Sequence, residues 1–344
     1  MAQVTSIDVA RLAGVSQATV SRALRDIRGT SEATRAKVRA AARELGYVPQ
    51  QSGRSLATRL TNRVGIVTGE LANPFYPALV APMVERLHEH GYLAVLIPDK
   101  DLDDLDPVPL IDGSLDGVLL TTIHQDSRLP AELSRRGVPR VLVNRDVSLG
   151  DEDASVADNV AGAGQVADLL LSSGHRRIAF LGGPPSVRTN VQRAEAFRAA
   201  LERHGIDCGA PLWCYGPFDP DHGRQAFTQF MALAAPPTAV FCANDVLALG
   251  ALEAARAARL AVPGDVSVIG FDDIPLAALS MIDLTTVGCD LDAMGQSAAD
   301  LLIDRIADPG RPARKVVHPT SLVLRGTHGR PRSPGRSENP NPDL

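Results

Sequence analysis

The side chains of Gln17, Ala18 and Arg22 have the chemistry needed to read the base edges of DNA. A glutamine amide can hold adenine through two hydrogen bonds, an alanine methyl can touch the methyl group of thymine, and an arginine can bind guanine bidentately. Arg22 follows Ala18 by four residues, so both lie on one face of any helix that contains them. A phosphate contact is the alternative role for Arg22, because a guanidinium also binds the DNA backbone.

Two short helices joined by a tight turn are predicted to position these side chains. Thr5 and Asp8 have the spacing of a capping residue and an acid near the positive end of a helix. Gly14 can supply the left-handed backbone of a sharp turn, and Ser16 is suited to cap a second helix that starts at Gln17. The sequence therefore predicts a helix-turn-helix. The apolar side chains expected to face its interior are Ile7, Ala10, Val15, Val20 and Leu24.

A third helix and a strong positive charge complete this amino-terminal segment. Ser31 can cap the third helix, which should stop at Gly46. Residues 1–62 carry ten Arg and Lys against four Asp and Glu, although the whole chain of 344 residues has a formal net charge of −5. A basic head on an acidic body attracts phosphates, and that attraction weakens as salt rises. The charge distribution therefore favours a nucleic-acid partner.

The remaining chain has the alternating pattern of an α/β protein. Apolar runs rich in Val, Ile and Leu are separated by helical patterns, which predicts parallel sheets covered by helices on both faces. About 280 residues exceed one comfortable hydrophobic core, so we expect two lobes. Pro107 and Pro109 prevent an ordinary helix in the acidic segment after the second run. The runs are residues 64–67, 93–97, 117–120, 140–143, 178–181, 239–241 and 266–269.

Composition argues against a membrane, metal or cofactor role. No run approaches the roughly 18 apolar residues that cross a bilayer, and the polar amino terminus is unlike a signal peptide, so we expect a cytoplasmic protein. The cysteines lack the paired spacing of a zinc site, so we expect reduced thiols and neither a metal nor a cofactor. They are Cys208, Cys214, Cys242 and Cys289. Residues 327–344 are rich in Pro, Arg, Ser and Asn, which predicts a disordered tail.

Short motifs in a fixed order run along most of the chain. The first reads VTSIDVARLAGVS from residue 4 and is followed by TVSR at 19–22. Others are YVP at 47–49, RSLA at 54–57, NPFY at 73–76, GHRRIAFLGGP at 174–184, ND at 244–245, GFDDIPLA at 270–277 and LTTV at 284–287. Together, from residue 4 to about 326, they resemble the LacI/GalR family of bacterial transcription repressors.

The resemblance implies an α-helical helix-turn-helix domain followed by a two-lobed α/β domain, similar to periplasmic binding proteins and built on parallel sheets. Its implied boundaries are residues 1–48 for the helix-turn-helix domain and 49–62 for a hinge helix and linker. Residues 63–326 would form the ligand-binding and dimerisation domain, and 327–344 the tail. Lobe one would comprise residues 63–159 and 288–319, and lobe two residues 160–287 and 320–326.

The resemblance also implies how the protein would bind an operator. Gln17 and Ala18 occupy the principal base-reading positions, and Leu56 matches a hinge leucine that enters the minor groove and kinks the duplex. Hydroxyl side chains would orient the domain on phosphates. Two half-sites imply a homodimer on a pseudo-palindromic double-stranded operator. The predicted DNA-binding residues are Thr5, Ser6, Ser16, Gln17, Ala18, Thr19, Ser21, Arg22, Ser31, Arg54, Leu56 and Ala57.

A small-molecule effector is expected in the cleft between the lobes. Arg193 matches the family arginine that binds ligand hydroxyls or carboxylates, and a guanidinium, an amide and a carboxylate together suit a vicinal diol. Aromatic side chains would cover the apolar face of a sugar ring, or else belong to the lobe core. We therefore expect a sugar or sugar derivative, with a nucleobase or nucleoside second, acting as inducer or corepressor. The predicted effector-binding residues are Phe75, Tyr76, Asn144, Arg193, Phe218, Asn244 and Asp272.

Two other classes of protein share parts of this pattern. The segment GAGQVA at residues 162–167 fits a dinucleotide-binding fingerprint, but no acid stands about twenty residues further on to bind a ribose. Its small residues more simply let a helix pack closely on a sheet. A periplasmic sugar carrier would have the two-lobed body without the basic head. We therefore expect a DNA-binding regulator that is not an enzyme.

Overall fold

The computed structural model describes residues 4–24, 29–47, 60–69, 71–99, 108–125, 127–146 and 152–332. The chain forms two compact units, Met1–Thr61 and Asn62–Leu344. The predicted hinge residues Arg54, Leu56 and Ala57 lie outside the described residues. Within the described ranges, no helix is long and apolar enough to cross a membrane.

The smaller unit contains the three predicted helices, α1 (Ser6–Ala13), α2 (Gln17–Leu24) and α3 (Glu32–Glu44). The Asp8 carboxylate accepts a hydrogen bond from the Thr5 amide at 2.9 Å. Gly14, with φ of +62°, makes the turn between α1 and α2. The helix-turn-helix prediction is thereby confirmed.

Serine caps and a small apolar core stabilise the second and third helices. The hydroxyl of Ser16 accepts from the Thr19 amide at 3.1 Å, and that of Ser31 accepts from the Thr34 amide at 3.2 Å. The prediction that Ile7 packs inward is wrong, because its side chain is 54 % exposed and α1 instead buries the face that carries Val9. The buried apolar residues are Val9, Ala10, Ala13, Val20, Ala23, Val38, Ala41 and Ala42.

The larger unit contains two parallel sheets, as predicted. The first has the strand order β11-β5-β4-β3-β1-β2, and every neighbouring pair is parallel. Its strands β3 and β5 are buried at every residue, as expected for a sheet covered on both faces. The strands are β1 (Arg63–Thr68), β2 (Leu93–Pro98), β3 (Gly117–Leu120), β4 (Arg140–Val143), β5 (Ala154–Ala157) and β11 (Lys315–His318).

The second sheet has the strand order β7-β6-β8-β9 and is also parallel throughout. An antiparallel pair, β10 and β12, forms a separate two-stranded sheet. The chain passes between the two large sheets after β5, after β10 and between β11 and β12. The strands are β6 (Ile178–Gly182), β7 (Trp213–Tyr215), β8 (Ala239–Cys242), β9 (Ser267–Ile269), β10 (Thr286–Cys289) and β12 (Thr320–Val323).

Helices cover both sheets. We call the first sheet with α4, α5, α6 and α11 lobe one, and the second sheet with α7 to α10 lobe two. The helices are α4 (Phe75–Glu89), α5 (Val108–Ile111), α6 (Leu129–Arg135), α7 (Asn159–Ser172), α8 (Arg188–Glu202), α9 (Pro220–Met231), α10 (Asp245–Ala257) and α11 (Leu291–Ala307). The helix α5, which contains Pro109, has only four residues.

Two small details bear on the sequence predictions. Residues 162–167 lie inside α7, where a Cβ on Gly162 would come within 2.8 Å of the Phe271 ring. Gly162 therefore lets α7 pack closely against Phe271, in agreement with the interpretation that the small residues of this segment serve packing. The four cysteines are free.

The prediction of a disordered tail from residue 327 is wrong for residues 327–332, which we call the C-terminal clasp. Thr327 is buried, and its carbonyl and hydroxyl accept hydrogen bonds from the amides of Val268 and Thr285 at 2.9 Å each. The Gly329 amide donates to the Ser267 hydroxyl at 3.0 Å. These partners come from distant strands of lobe two, so local composition gives no sign of them. Residues 333–344 lie outside the described residues.

Candidate functional site

A cavity of about 420 Å³ lies between the two lobes. The residues around it follow the carboxyl ends of strands from both sheets, the usual position of a ligand in an open α/β fold. All seven predicted effector-binding residues line it. The complete lining is Gly69, Asn73, Phe75, Tyr76, Asp99, His124, Asn144, Arg145, Pro184, Val187, Thr189, Arg193, Pro217, Phe218, Asp219, Asn244 and Asp272.

Arg193 and Asp272 form a buried ion pair on the lobe-two wall. The Nη1 atom of Arg193 lies 3.1 Å from Oδ1 of Asp272. The Nε atom donates to the Asn159 side-chain oxygen at 2.8 Å, and Nη1 also donates to the Ala243 carbonyl at 2.6 Å. The guanidinium stacks 3.6 Å above the Phe271 ring centroid. These contacts hold the arginine in one orientation.

Burial raises the pKa of Asp272 to about 6, against the opposing effect of the Arg193 charge. Its backbone has φ of +115° and that of Asp273 has φ of +51°, a region that side chains rarely adopt. Such strain persists only where the surroundings impose it. The loop that presents Asp272 to the cavity is therefore held by the residues beneath it.

Asp245 is the residue beneath that loop, and sequence reasoning did not select it. Its carboxylate accepts from the Ile274 amide at 2.9 Å and from the Thr286 hydroxyl at 2.5 Å. Burial raises the pKa of Asp245 well above its ordinary value. Asp245 is a positioning residue, because its contacts fix the backbone on either side of Asp272 without reaching the cavity lining.

Asn244 begins α10 and borders the cavity. Its side-chain oxygen accepts from the Leu247 amide at 2.9 Å, so the side-chain nitrogen is the group available to a ligand. Phe218 lies directly over Gly183, where a Cβ would come within 2.1 Å of the ring. The glycine therefore allows the aromatic ring to close this side of the cavity.

Lobe one contributes to the cavity lining two aromatic rings and an asparagine whose backbone has a positive φ. Phe75 and Tyr76 make an edge-to-face contact with ring centroids 5.5 Å apart. Both are buried in the core and also line the cavity. Asn144 follows β4 with φ of +64°, and its amide donates to the Ser155 carbonyl at 2.9 Å. The strand end thus turns the asparagine into the cavity lining.

Several lining residues were missed at the sequence level, chiefly Asn73, Asp99, His124 and Arg145. Each follows a strand or precedes a helix, as the predicted residues do, and only that position could have indicated them. Arg145 is the most buried of the four, at 8 % exposure, and its Nη2 atom donates to the Tyr76 hydroxyl at 3.1 Å.

Three contacts join the two lobes at one side of the cavity, and we call them, together with an ion pair of Lys315 inside lobe one, the cross-lobe latch. The Gln125 amide donates to the Ser186 carbonyl at 3.1 Å, and His124 Nδ1 lies 3.1 Å from the Ser186 hydroxyl. Arg188 Nε pairs with Asp146 at 3.1 Å, and Lys315 pairs with the same carboxylate at 2.6 Å. The lobes therefore touch at this side of the cavity.

The predicted base-reading side chains lie on the exposed part of α2. Gln17, Ala18 and Arg22 are exposed. Gln17 Nε2 donates to the Ser6 hydroxyl at 2.8 Å, and Arg22 Nε lies 3.4 Å from the Ala18 carbonyl. Both contacts are exposed and can be exchanged for contacts with DNA. Of the other predicted residues, Ser16 and Ser31 act as helix caps, and Thr5, Ser6, Thr19 and Ser21 lie on or beside the same helices.

A helix-turn-helix unit attached to a two-lobed body with a polar interlobe cavity defines a ligand-responsive transcriptional regulator rather than an enzyme. Residues 6–50 match the family described as bacterial regulatory proteins, lacI family, and residues 167–328 match the periplasmic binding protein-like domain. The chain belongs to the lacI family.

Relatives of known name agree over almost the whole chain. The transcriptional regulator CelR of Thermobifida fusca is 36 % identical over 326 residues, 92 % of this chain and 96 % of the relative. The ribose operon repressor of Escherichia coli K12 is 36 % identical over 330 residues, with 94 % and 99 % covered.

Solved structures show the same similarity. A CelR–cellobiose complex has a TM-score of 0.73 at 35 % identity and covers 94 % of this chain and 100 % of its own. A lac repressor dimer bound to operator and the anti-inducer ONPF has a TM-score of 0.85 at 28 % identity and covers 95 % and 100 %.

Proposed function

We propose that this protein represses transcription as a homodimer on a pseudo-palindromic operator, and that a sugar or sugar derivative in the interlobe cavity changes its affinity for DNA. One observation carries the proposal. Seven side chains with the chemistry to bind a polyhydroxylated ring, spread from residue 75 to residue 272 of the chain, meet around a single cavity. A volume of about 420 Å³ suits a small organic ligand.

The polar groups of the cavity match the groups of a sugar. The Arg193–Asp272 pair offers a donor and an acceptor side by side, as a vicinal diol requires. The available nitrogen of Asn244 adds a donor, and the rings of Phe75, Tyr76 and Phe218 offer apolar faces. Two relatives support the same ligand class, because one was solved with cellobiose and another is named as a ribose operon repressor.

On the DNA side, Gln17, Ala18 and Arg22 read bases, and the nearby hydroxyl residues bind phosphates. Residues 49–62, including Arg54, Leu56 and Ala57, form the hinge, with Leu56 entering the minor groove. The protein acts in the bacterial cytoplasm and lies on the nucleoid when bound to its operator. Binding of sugar and binding of operator are linked and reciprocal, whether the sugar releases the protein or recruits it.

A homodimer follows from operator symmetry and from an apolar surface on lobe two. Leu276, Leu279 and Met281 are 37 %, 45 % and 80 % exposed within six residues of chain. Isolated exposed apolar side chains are ordinary, but a cluster of large ones indicates a contact surface. A second copy of this chain is the partner that the two-fold symmetry of an operator requires.

Thermal-shift screening of the full-length protein against carbohydrates and nucleosides tests the proposal. We expect a sugar to raise the melting temperature, and we expect Arg193→Ala and Asp272→Ala to abolish that shift. A gel shift with DNA selected from random duplexes should then change when the same sugar is added. If only nucleosides raise the melting temperature, the ligand is a nucleoside and not a sugar. A sugar-dependent rise in melting temperature that persists in both variants would refute the assignment of Arg193 and Asp272 to the ligand site.

A further inference from the structure

Arg145 carries a buried charge that no ion pair of the described residues neutralises, although its charge acts on Asp272 and opposes the rise that burial causes in the pKa of that carboxyl. The residue is 8 % exposed and lines the interlobe cavity. Its Nη2 atom donates to the Tyr76 hydroxyl at 3.1 Å, but its buried Nε atom has no hydrogen-bond partner. Among the described residues, no carboxylate lies within ion-pair distance of this guanidinium. An unpaired buried charge is costly, which favours a ligand that supplies the missing partner.

The carboxylates around the cavity are committed elsewhere. Asp272 pairs with Arg193 at 3.1 Å. Asp219 caps α9 by accepting from the His222 amide at 2.7 Å. Asp99 is likewise not free of partners. Asn144, the neighbour of Arg145 in the chain, is neutral, and Asp99 is the only acid among the described lobe-one residues that line the cavity.

The amino end of α8 adds to the positive potential at this wall. Val187, which precedes the helix, is extended and provides no side-chain cap, and the first turn contains no acid. Val187 and Thr189 line the same cavity as Arg145. The ion pair of Arg188 with Asp146, at 3.1 Å, holds the start of this helix against the residue that follows Arg145. Free amides at a helix amino end bind anions.

We propose that the effector is an anionic sugar whose carboxylate or phosphate binds between Arg145 and the amino end of α8. This inference rests on the proposed sugar-binding function of the cavity and narrows it. The anionic group pairs with the Arg145 guanidinium and with the amides at the start of α8, while the hydroxyl groups remain for Asn244 and the Arg193–Asp272 pair. Arg145 would thus select among sugars by charge, and the other residues by ring shape.

Isothermal titration of the full-length protein with matched pairs of sugars tests this assignment. Suitable pairs are D-glucose with D-glucuronate, D-galactose with D-galacturonate, and D-glucose with D-gluconate or D-glucose 6-phosphate, with cellobiose and D-ribose as further neutral sugars. We expect one anionic sugar to bind at least about tenfold more tightly than its neutral partner, since hydrogen bonds to charged groups are the strong ones. Comparison of the acids with the phosphate identifies the anionic group.

Two substitutions locate the charge effect. Arg145→Gln should lower the affinity for the anionic partner by more than it lowers the affinity for the neutral sugar, because only the anionic group pairs with the guanidinium charge. Arg203→Gln, which removes an exposed arginine on α8's far end, should change neither affinity. Thermal melts of each variant check that it is folded, and the matched-pair comparison on the unaltered protein needs no variant.

Each remaining outcome decides between this inference and the proposed function. Tighter binding of a neutral sugar than of every anionic sugar overturns the charge assignment and leaves a sugar-responsive regulator. An equal loss for both partners in Arg145→Gln overturns it as well. Binding of nucleosides, with no sugar bound at all, contradicts both proposals together.

Discussion

The pairing of Arg193 with Asp272 concentrates the chemistry of the cleft in two side chains. Asn159, the Ala243 carbonyl and the Phe271 ring hold Arg193 in its orientation toward Asp272. Sequence reasoning selected both residues from family motifs. It could not select Asn159 or Asp245 as their supports, because those contacts join residues about 30 apart or more in the chain.

We expect sugar affinity to weaken as the pH falls through about 6. The pKa of Asp272 is raised to about 6 by burial, so the carboxylate that accepts ligand hydroxyls is lost below that pH. Affinity should be level between pH 7 and 8 and fall by up to about tenfold per unit below pH 6. Calorimetric titrations across this range measure it. The Asp272→Asn variant should bind the sugar weakly, with an affinity that does not change with pH. The His124→Gln variant should keep the fall in affinity near pH 6. An unchanged affinity at pH 5 in the unaltered protein would contradict the assignment of the effect to Asp272.

The role of Arg22 can be decided by salt dependence. If Arg22 binds guanine, Arg22→Ala should cost about 1–3 kcal/mol on the selected operator and nothing on random duplex. If it binds a phosphate, both affinities should fall and the slope of log affinity against log salt should drop by about one charge. Fluorescence anisotropy with both duplexes at several salt concentrations separates the two. Arg43→Ala, on an exposed position of α3, is the matched control.

At the scale of elements, caps and apolar runs predicted most of the helices and strands. Gly14 and Ser16 mark a turn whose geometry only a few residue types allow, and most of the buried strands are rich in Val, Ile and Leu, although β5 is not. The prediction failed where tertiary contacts decide. Ile7 has an apolar side chain on the exposed side of α1, and the C-terminal clasp has the composition of a loop but finds partners on lobe two.

Removal of the C-terminal clasp should destabilise lobe two. His175 is buried, with its ring nitrogens 2.8 Å from the Thr238 hydroxyl and the Gly329 carbonyl, and loss of residues 327–344 exposes or strands these groups. Each buried group left unsatisfied costs about 1–3 kcal/mol, so we expect a clear fall in the free energy of unfolding. Denaturant unfolding measures it. A deletion of residues 333–344 keeps every contact named and serves as the control.

The same clasp should loosen in acid. Burial lowers the pKa of His175, so the unfolded chain takes up its proton more readily than the folded one. The contribution of neutral His175 to the free energy of unfolding is therefore fully present above about pH 6.5 and is lost as the pH falls below that value. Unfolding of His175→Gln, compared with the unaltered protein at pH 5.5 and 7.5, measures the effect. A stability difference that does not depend on pH would contradict it.

At the scale of the whole molecule, the cavity could be predicted only through the resemblance. Periodicity predicts strands and helices, but it does not reveal that residues 75, 144, 193 and 272 meet at one cavity. The parallel order of the strands brings their carboxyl ends together, and family motifs identified which side chains follow them. Arg145 and His124 lie at equivalent strand ends yet fall outside those choices.

Assembly can be tested on the apolar surface of lobe two. Met281→Asp places a charge on a side chain that is 80 % exposed, so the fold of the single chain should be kept while dimer contacts are lost. Sedimentation velocity should show the monomer, and operator affinity should fall at least about tenfold because two half-sites are no longer bound together. Val160→Asp, an exposed apolar position on α7, is the control. A dimeric Met281→Asp protein would refute this surface.

The cross-lobe latch has a further consequence through its ion pair. Arg188 and Asp146 are 30 % and 13 % exposed, so dissolved ions can screen their attraction. The same ions compete with the protein for the phosphates of the operator. Effector-response curves collected at different ionic strengths would therefore combine a change in lobe contact with a change in operator affinity. Osmotic stress, which raises the ion concentration in the cell, would weaken the lobe contact and operator binding together.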